Sequence, residues 1–339
     1  MGAEVTGCTD RLQFCLIMVM ILAMPFCPTG LAAESEMGGW LGAELGKAKP
    51  VISYEAAVSP ASEVDGQKTN WREIEQKAAF SVPIRQDSDS EWLFRARLLT
   101  KDIRTESILT DTKERFPQTL WNVNFGSQYR HCLQNGWIGG LSASVGSASD
   151  RPFDTMDETT LQATLFTRIP SGERNAWLFL LNYNNNREFL RNVPLPGFGY
   201  WYAPNPIWHA LIGLPFVFLE IKPAADLTFN VFYLPIRNMH AGVTYRLLAP
   251  LKLHTSFDWQ SERYFRADRI DEAKRLFYNE KKLTVGGQWQ VGQGVTFDLS
   301  GGYAFDRMYF EGESYSDRDF NRIAIANGPF ISVRAGLSF

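Results

Sequence analysis

The sequence predicts an all-β chain: a transmembrane antiparallel up-and-down β-barrel of about 14 strands, with 12 as the alternative, ending on a C-terminal Phe. Three observations carry that reading. Apolar and polar residues alternate with a period of two over many segments of roughly ten residues, the length a tilted membrane-crossing strand needs. Trp and Tyr recur near the ends of those segments, where the two membrane interfaces favour them. Beyond the N-terminus no window approaches the roughly 20 apolar residues of a membrane-spanning helix. A mean hydropathy of −0.20 is what strands with one apolar and one polar face produce.

In chain order, strands are expected at 50–58, 71–83, 91–99, 119–131, 136–147, 158–169, 175–185, 211–221, 226–234, 239–247, 251–261, 281–291, 295–305 and 328–339. Losing one hairpin, through 211–221 or 50–58, leaves 12. The alternation is plainest in four of them. Trp121, Val123, Phe125 and Tyr129 oppose Asn122, Asn124, Gln128 and Arg130. Leu251, Leu253, Phe257 and Trp259 oppose Lys252, His254, Ser256, Asp258 and Gln260. Val295, Phe297, Leu299, Tyr303 and Phe305 oppose Thr296, Asp298 and Ser300. In the last strand Ile331, Val333, Ala335, Leu337 and Phe339 oppose Ser332, Arg334, Gly336 and Ser338. Trp121, Tyr129, Trp137, Trp177, Tyr183, Tyr233, Tyr245, Trp259, Trp289 and Tyr303 are the expected girdle residues.

If the last strand runs toward the periplasm, every second connection is a short turn. Those turns fall at 84–90, 132–135, 170–174, 222–225, 248–250 and 292–294, against longer loops at 59–70, 100–118, 148–157, 186–210, 262–280 and 306–327. A turn at Gly292–Gly294 sets Trp289 opposite Phe297 on the outer face and Gln288 opposite Asp298 on the inner one. Glycine there supplies the positive φ such turns need. The loop at 186–210 carries Phe198, Tyr200, Trp201 and Tyr202 among prolines and glycines. It is expected to be a lid packed on its own barrel, with a constriction in the mouth or a surface for sugar or apolar solute as alternatives.

The N-terminus directs export. The apolar run Leu12–Phe26 follows Arg11 and precedes Leu31-Ala32-Ala33, the layout of a secretory signal peptide over 1–33, with an uncleaved anchor as the alternative. A Gly-rich periplasmic leader then covers 34–49 and the barrel 50–339. Cys8, Cys15 and Cys27 leave with the signal, so Cys132 is left without an intramolecular partner.

The final strand, with Val333, Leu337 and the terminal Phe339, resembles the signal by which bacterial outer-membrane barrels are handed to their assembly machinery and periplasmic chaperones. NNNREFLRNVPLPGFGYWY (Asn184–Tyr202), RLFYNEKK (Arg275–Lys282) and GGYAFDRMYFEG (Gly301–Gly312) resemble stretches of an uncharacterised bacterial outer-membrane barrel family. The resemblance implies the barrel fold and a Gram-negative outer-membrane location, and carries over no chemistry.

Function is read from the face expected to line the lumen. Lys77, Arg95, Arg97, Arg130, Arg168, Arg246, Lys252, Lys282 and Arg334 stand against Glu55, Glu73, Glu75, Asp258 and Asp298, a basic excess in a chain whose formal charge is −3. A basic lumen favours anions, and pairing of these groups into a plug is the alternative. The expected function is therefore a porin-like barrel for passive diffusion or uptake of small solutes, with a mild anion preference. The rival is a closed structural or adhesion barrel acting through its extracellular loops. A barrel hydrolase stands third, because a turn at 248–250 puts His240 opposite Asp258 with Ser256 on the same face. Nothing predicts a cofactor or a metal site: no Cys/His spacing suits zinc. The negative charge argues against nucleic acid. Outer-membrane lipid and lipopolysaccharide are the expected partners; the acids Asp154, Asp157 and Glu158, and Glu311, Glu313, Asp317 and Asp319, are read as solvated, with divalent ions shared with lipopolysaccharide as the alternative.

Overall fold

Inside a bilayer every backbone N–H and C=O needs a partner from the protein, so a spanning sheet has to close on itself. It does so here. The computed structural model describes residues 42, 44–187, 190, 192–234, 238–269 and 271–339. The signal peptide expected at 1–33 and the first part of the leader lie outside the described residues. The strands are β1 (Val51–Val64), β2 (Gln67–Gln86), β3 (Ser90–Arg104), β4 (Thr119–Cys132), β5 (Ile138–Ser149) and β6 (Thr159–Ser171). They continue as β7 (Asn175–Asn184), β8 (Leu195–Asn205), β9 (Trp208–Leu214), β10 (Val217–Ala224), β11 (Leu227–Leu234) and β12 (Asn238–Leu248). The last are β13 (Leu251–Tyr264), β14 (Arg275–Gln290), β15 (Val295–Gly312), β16 (Ile323–Ile325) and β17 (Gly328–Ser338). Each of β1 to β15 pairs antiparallel with its successor, and β17 joins β15 to β1, where Glu55 faces Arg334 on one side and Lys77 on the other. The three residues of β16 bridge β15 and β1 at the outer rim and lie outside the ring. Helical structure among the described residues is confined to two single turns, Met156–Glu158 and Tyr315–Asp317.

The barrel therefore has 16 strands plus that short piece, which corrects the expected 14 and the alternative 12. Both missing strands come from one region. The expected loop at 186–210 contains β8 and the start of β9, and the expected strand at 211–221 is two strands joined through Pro215 and Phe216. Proline and glycine at 194–206 read as loop, yet Pro196 and Pro204 sit near the ends of β8, where a missing donor does least harm. Asn205 closes the β8–β9 turn by accepting from the N–H groups of Ile207 (2.9 Å) and Trp208 (3.1 Å). Because two strands enter as a hairpin, the alternation of periplasmic and outer ends survives, but the outer connections at 65–66 and 215–216 are tight turns, and the longer loop expected at 59–70 is mostly strand.

The lid expected at Phe198, Tyr200, Trp201 and Tyr202 is accordingly wall. Phe198 and Tyr202 are exposed on the outer face, and Tyr200 lies there against Trp177, ring centroids 4.7 Å apart. Trp201 points inward and is buried.

Outward positions form an apolar belt, with Phe80, Leu98, Phe125, Leu165, Leu283 and Ile331 all exposed to what is lipid in the membrane. Trp92, Tyr129, Trp137, Trp177, Trp208, Tyr245 and Trp289 lie near its periplasmic edge, and Trp121, Tyr183, Tyr233 and Trp259 near its outer edge. The expected register at Gly292–Gly294 is observed: Trp289 faces Phe297 and Gln288 faces Asp298. Val333, Leu337 and Phe339 also face outward.

Wall height is uneven. β2 has 20 residues and β15 has 18, whereas β9 has 7 and β10 and β11 have 8 each. The tall strands continue past the belt as a turret. In β15 a bulge at Asp306, with φ of 52°, reverses which side chains point inward, so Arg307 and Tyr309 face the interior. Asn279 holds that bulge, donating to the Asp306 carbonyl (3.0 Å) and accepting from the Trp259 indole (2.7 Å).

Candidate functional site in the barrel interior

Strand alternation sends one side chain in two into the barrel, and the register assigns the candidates. Arg95, Arg97, Arg130, Arg168, Arg246, Lys252, Lys282, Asp298 and Arg334 all occupy inward positions, as do Lys77, Glu55, Glu73 and Glu75. All but Arg246, which lies on β12 with Asp226 3.9 Å away, fall on two adjoining walls.

On the wall from β13 through β17 to β3 the charges are consumed by one another. Arg334 Nε lies 2.8 Å from Glu55, Lys77 lies 2.7 Å from Glu75, and Lys282 lies 2.6 Å from Glu280. Lys101, fully buried, reaches Glu75 (2.6 Å), Glu73 (3.2 Å) and Glu262 (3.5 Å), with its ammonium 4.0 Å from the Tyr278 ring centroid. Arg307 meets Glu280 at 3.2 Å. Lys101, Glu262, Glu280 and Arg307 were missed from sequence because the strands were ended at the belt. Continuing the alternation upward would have found the first three. A cavity of about 30 Å³, enough for about one water, lies lower on this wall between Lys77, His254, Lys282, Asp298 and Arg334.

The adjoining wall, β3 to β7, is different. Arg95 donates to Gln128 Oε1 (2.7 Å), Asn124 to Ser144 Oγ (3.3 Å), and Asn182 to Thr164 Oγ1 (2.7 Å). Arg95, Arg97, Asn122, Asn124, Ser142, Ser144, Gln162 and Asn182 are only half-buried. Water therefore reaches a surface of guanidinium, amide and hydroxyl groups. Beyond it, Phe166, Leu178, Trp201, Leu211, Phe218 and Phe232 fill the interior with an apolar wedge across β6 to β11.

Three histidines face inward, each against a carboxylate. His209 Nδ1 lies 3.0 Å from Glu220, His240 Nδ1 lies 2.7 Å from Asp258, and His254 Nε2 lies 2.8 Å from Asp298. The last pair meets across β14, because a Cβ at Gly286 would lie 2.6 Å from His254 Nε2 and 2.3 Å from Ser300 Oγ. The expected His240–Ser256–Asp258 cluster does assemble, but in the wrong order for nucleophilic catalysis. Ser256 donates to Asp258 Oδ2 (2.8 Å), so the carboxylate sits between hydroxyl and imidazole. A base that activates a serine has to take that proton itself. His254, Asp298 and Ser300 form a similar cluster one strand pair along, with Ser300 donating to Asp298 and its hydroxyl 3.5 Å from His254 Nε2. Among the described residues no group of three His, Cys, Asp or Glu side chains is placed to hold a metal.

Both ends of the interior are covered. At the outer rim the Phe265 N–H donates to the Ala148 carbonyl (2.7 Å) and Ser149 bridges to Phe265, joining β5 to the end of β13. Those strands lie opposite one another in the ring, so the mouth is pinched across its diameter. Leu109 and Phe116 from the β3–β4 loop pack beneath on Trp71, Tyr264, Tyr278 and Tyr309. Polar contacts lock the loops: Asn321 accepts from the N–H groups of Asp111 (2.8 Å) and Thr112 (2.9 Å), Arg266 pairs with Glu114 (2.7 Å), and Arg269 pairs with Glu158 (2.9 Å). Burial pushes the Glu158 carboxyl up, but the bonds from Arg269 and Thr155 outweigh it and hold the group below the usual carboxylate range. At the periplasmic end the Arg130 guanidinium, paired with Glu91 (2.7 Å), donates to the carbonyls of Gly42 (3.1 Å) and Glu44 (3.3 Å). Leu45 is buried, and Gly46, with φ of 75°, approaches Asp87 too closely for a side chain. The end of the expected leader thus packs into the lower mouth.

No family model and no curated protein matches the sequence. Among solved structures, neighbours are bacterial outer-membrane β-barrels. An outer-membrane channel from Pseudomonas putida F1 is 9% identical over 86% of this chain and 94% of its own, with a TM-score of 0.34. The Pseudomonas putida toluene transporter TodX is 10% identical over 86% and 89%, with a TM-score of 0.38. The translocator domain of the autotransporter NalP from Neisseria meningitidis is 13% identical over 99% and 100%, with a TM-score of 0.32. At such scores these likenesses decide nothing about activity, and the barrel rests on the closed hydrogen-bonded ring.

Proposed function

We propose that the chain is a Gram-negative outer-membrane pore for small polar solutes, with a mild preference for anions and a folded cap over its outer mouth. One observation supports this above the others: the half-buried guanidinium and amide wall of β3 to β7. On this wall Glu91 pairs with Arg130, and on the adjoining wall Lys77, Lys101 and Lys282 pair with Glu75 and Glu280. A mobile ion near Arg95 and Arg97 meets a positive surface, and narrow low-dielectric surroundings strengthen that bias. In planar bilayers under a salt gradient, the protein is expected to conduct with a reversal potential on the chloride side. Arg95→Gln with Arg97→Gln is expected to move it toward zero. An unchanged reversal potential in that variant would remove these arginines from the path.

A second reading has its own support. The diametric contact between β5 and β13, with four outer connections locked above it, suits a closed barrel that works through its outer surface. Silent bilayers, with correctly folded protein, would favour it. For a hydrolase the geometry offers little, since Ser256 and Ser300 both give their protons to carboxylates.

A further inference from the structure

The outer face of the β2–β3 hairpin places two like charges side by side. Arg72 and Arg104 are direct cross-strand partners, both outward and both exposed. Side chains so opposed start about 5 Å apart, and like charges there are destabilising unless something lies between them. Neither guanidinium forms an ion pair or hydrogen bond among the described residues. Asp102, on the same face one step lower opposite Ile74, pairs with neither.

Their height is informative. On β3 the outward residues run from Trp92 at the periplasmic edge through Phe94, Ala96 and Leu98 to Thr100, which faces Trp121 at the outer edge of the belt. Arg104 lies four residues further, about 13 Å along a tilted strand, so its long side chain can bend down to the headgroup level. Below the pair, Phe80 and Leu98 are exposed on the same two strands, with Phe80 and Phe94 rings 6.4 Å apart. The column thus runs from apolar at acyl-chain depth, past Asp102, to two cations at its top, with a net positive charge.

We propose that Arg72 and Arg104 form a clamp for the phosphate of an outer-leaflet lipid, whose acyl chains lie on Phe80 and Leu98. Two guanidinium forks can share the oxygens of one phosphate, removing the repulsion between them and giving the anion a bidentate seat. This proposal does not depend on whether the barrel conducts.

The test uses the full chain in detergent, mixed with phosphatidylcholine vesicles containing bisphosphorylated lipid A, then re-isolated and its retained lipid weighed by mass spectrometry. The wild type is expected to retain lipid A. Each of Arg72→Gln and Arg104→Gln should lose about fivefold, since one basic residue at a membrane surface contributes about 1 kcal/mol. A dephosphorylated lipid A should be retained no better by wild type than by the double variant. Arg318→Gln serves as a charge-matched control and should change nothing. Equal retention by wild type and double variant would overturn the clamp. Displacement of the lipid by inorganic phosphate at equal concentration would overturn the lipid as occupant. Heat-dependent gel mobility checks folding, and either single variant suffices if the double one does not fold.

Discussion

Gly286 is where the interior tolerates least change. It stands on β14 between His254 and Asp298, and its missing side chain is the space in which they meet. Gly286→Ala is expected to lower stability by about 1–3 kcal/mol through overpacking, read as a drop in urea midpoint in micelles. Gly139→Ala, on the outer face with nothing within 4 Å, is expected to leave the midpoint unchanged. Lys101→Ala should cost more, about 3–5 kcal/mol, because it removes the cation paired with the buried Glu73 and leaves Glu75 only Lys77 and the more distant Lys282. In the cap, Glu158 is held ionised below its unfolded pKa, so its contribution is fully present above that value and lost as pH falls through the depressed folded one. The protection factors of 265–269, corrected for the intrinsic pH dependence of exchange, are therefore expected to fall on acidification, and Glu158→Gln to show the lower protection already at pH 7. Protection independent of pH in both proteins would contradict this role. Of these residues, His254 and Asp298 were legible as inward by alternation alone. Their partnership was not, because it depends on the register of three strands at once.

At the level of elements, β8 and β9 separate two topologies. Read from sequence, 186–210 is an outer loop; in the structure Pro206 and Ile207 form a turn at the periplasmic end. With Cys132 replaced by Ser, Ile207→Cys on intact cells is expected to resist a membrane-impermeant thiol reagent, whereas Thr112→Cys in the β3–β4 loop should react. Rapid labelling of Ile207→Cys would restore the shorter barrel. The error has a physical source. Within 194–206, Pro and Gly mask the alternation of Phe198, Tyr200 and Tyr202, and β9 to β11 are so short that two of them fit one expected strand. The upper parts of β14 and β15 were hidden differently. Above Asp306 both faces are covered, Phe277 and Phe310 stacking 4.9 Å apart on one side and Tyr278 and Tyr309 at 4.5 Å on the other, so no polar face remains to reveal a period of two.

For the whole molecule, local patterning predicted the closed ring, its outer belt and the positions of the inward charges, but not what those charges do to one another. Counting them as a list gave a basic excess throughout. The structure gathers acids with Lys77, Lys101, Lys282 and Arg334 on one wall and sets Arg95 and Arg97 among amides and hydroxyls on the adjoining one. The contact between β5 and β13 joins residues over a hundred positions apart, beyond any periodicity. Weakening the cap should therefore change conduction without changing selectivity. Arg266→Gln, which removes the bond to Glu114, is expected to lengthen open times while the reversal potential stays fixed. The central claim, a positive water-reached path inside a capped barrel, is tested most directly by the reversal potential of the purified full chain in a planar bilayer under a potassium chloride gradient. A clear displacement toward the chloride equilibrium potential is the predicted result; a displacement toward potassium, or no channels from folded protein, would contradict it.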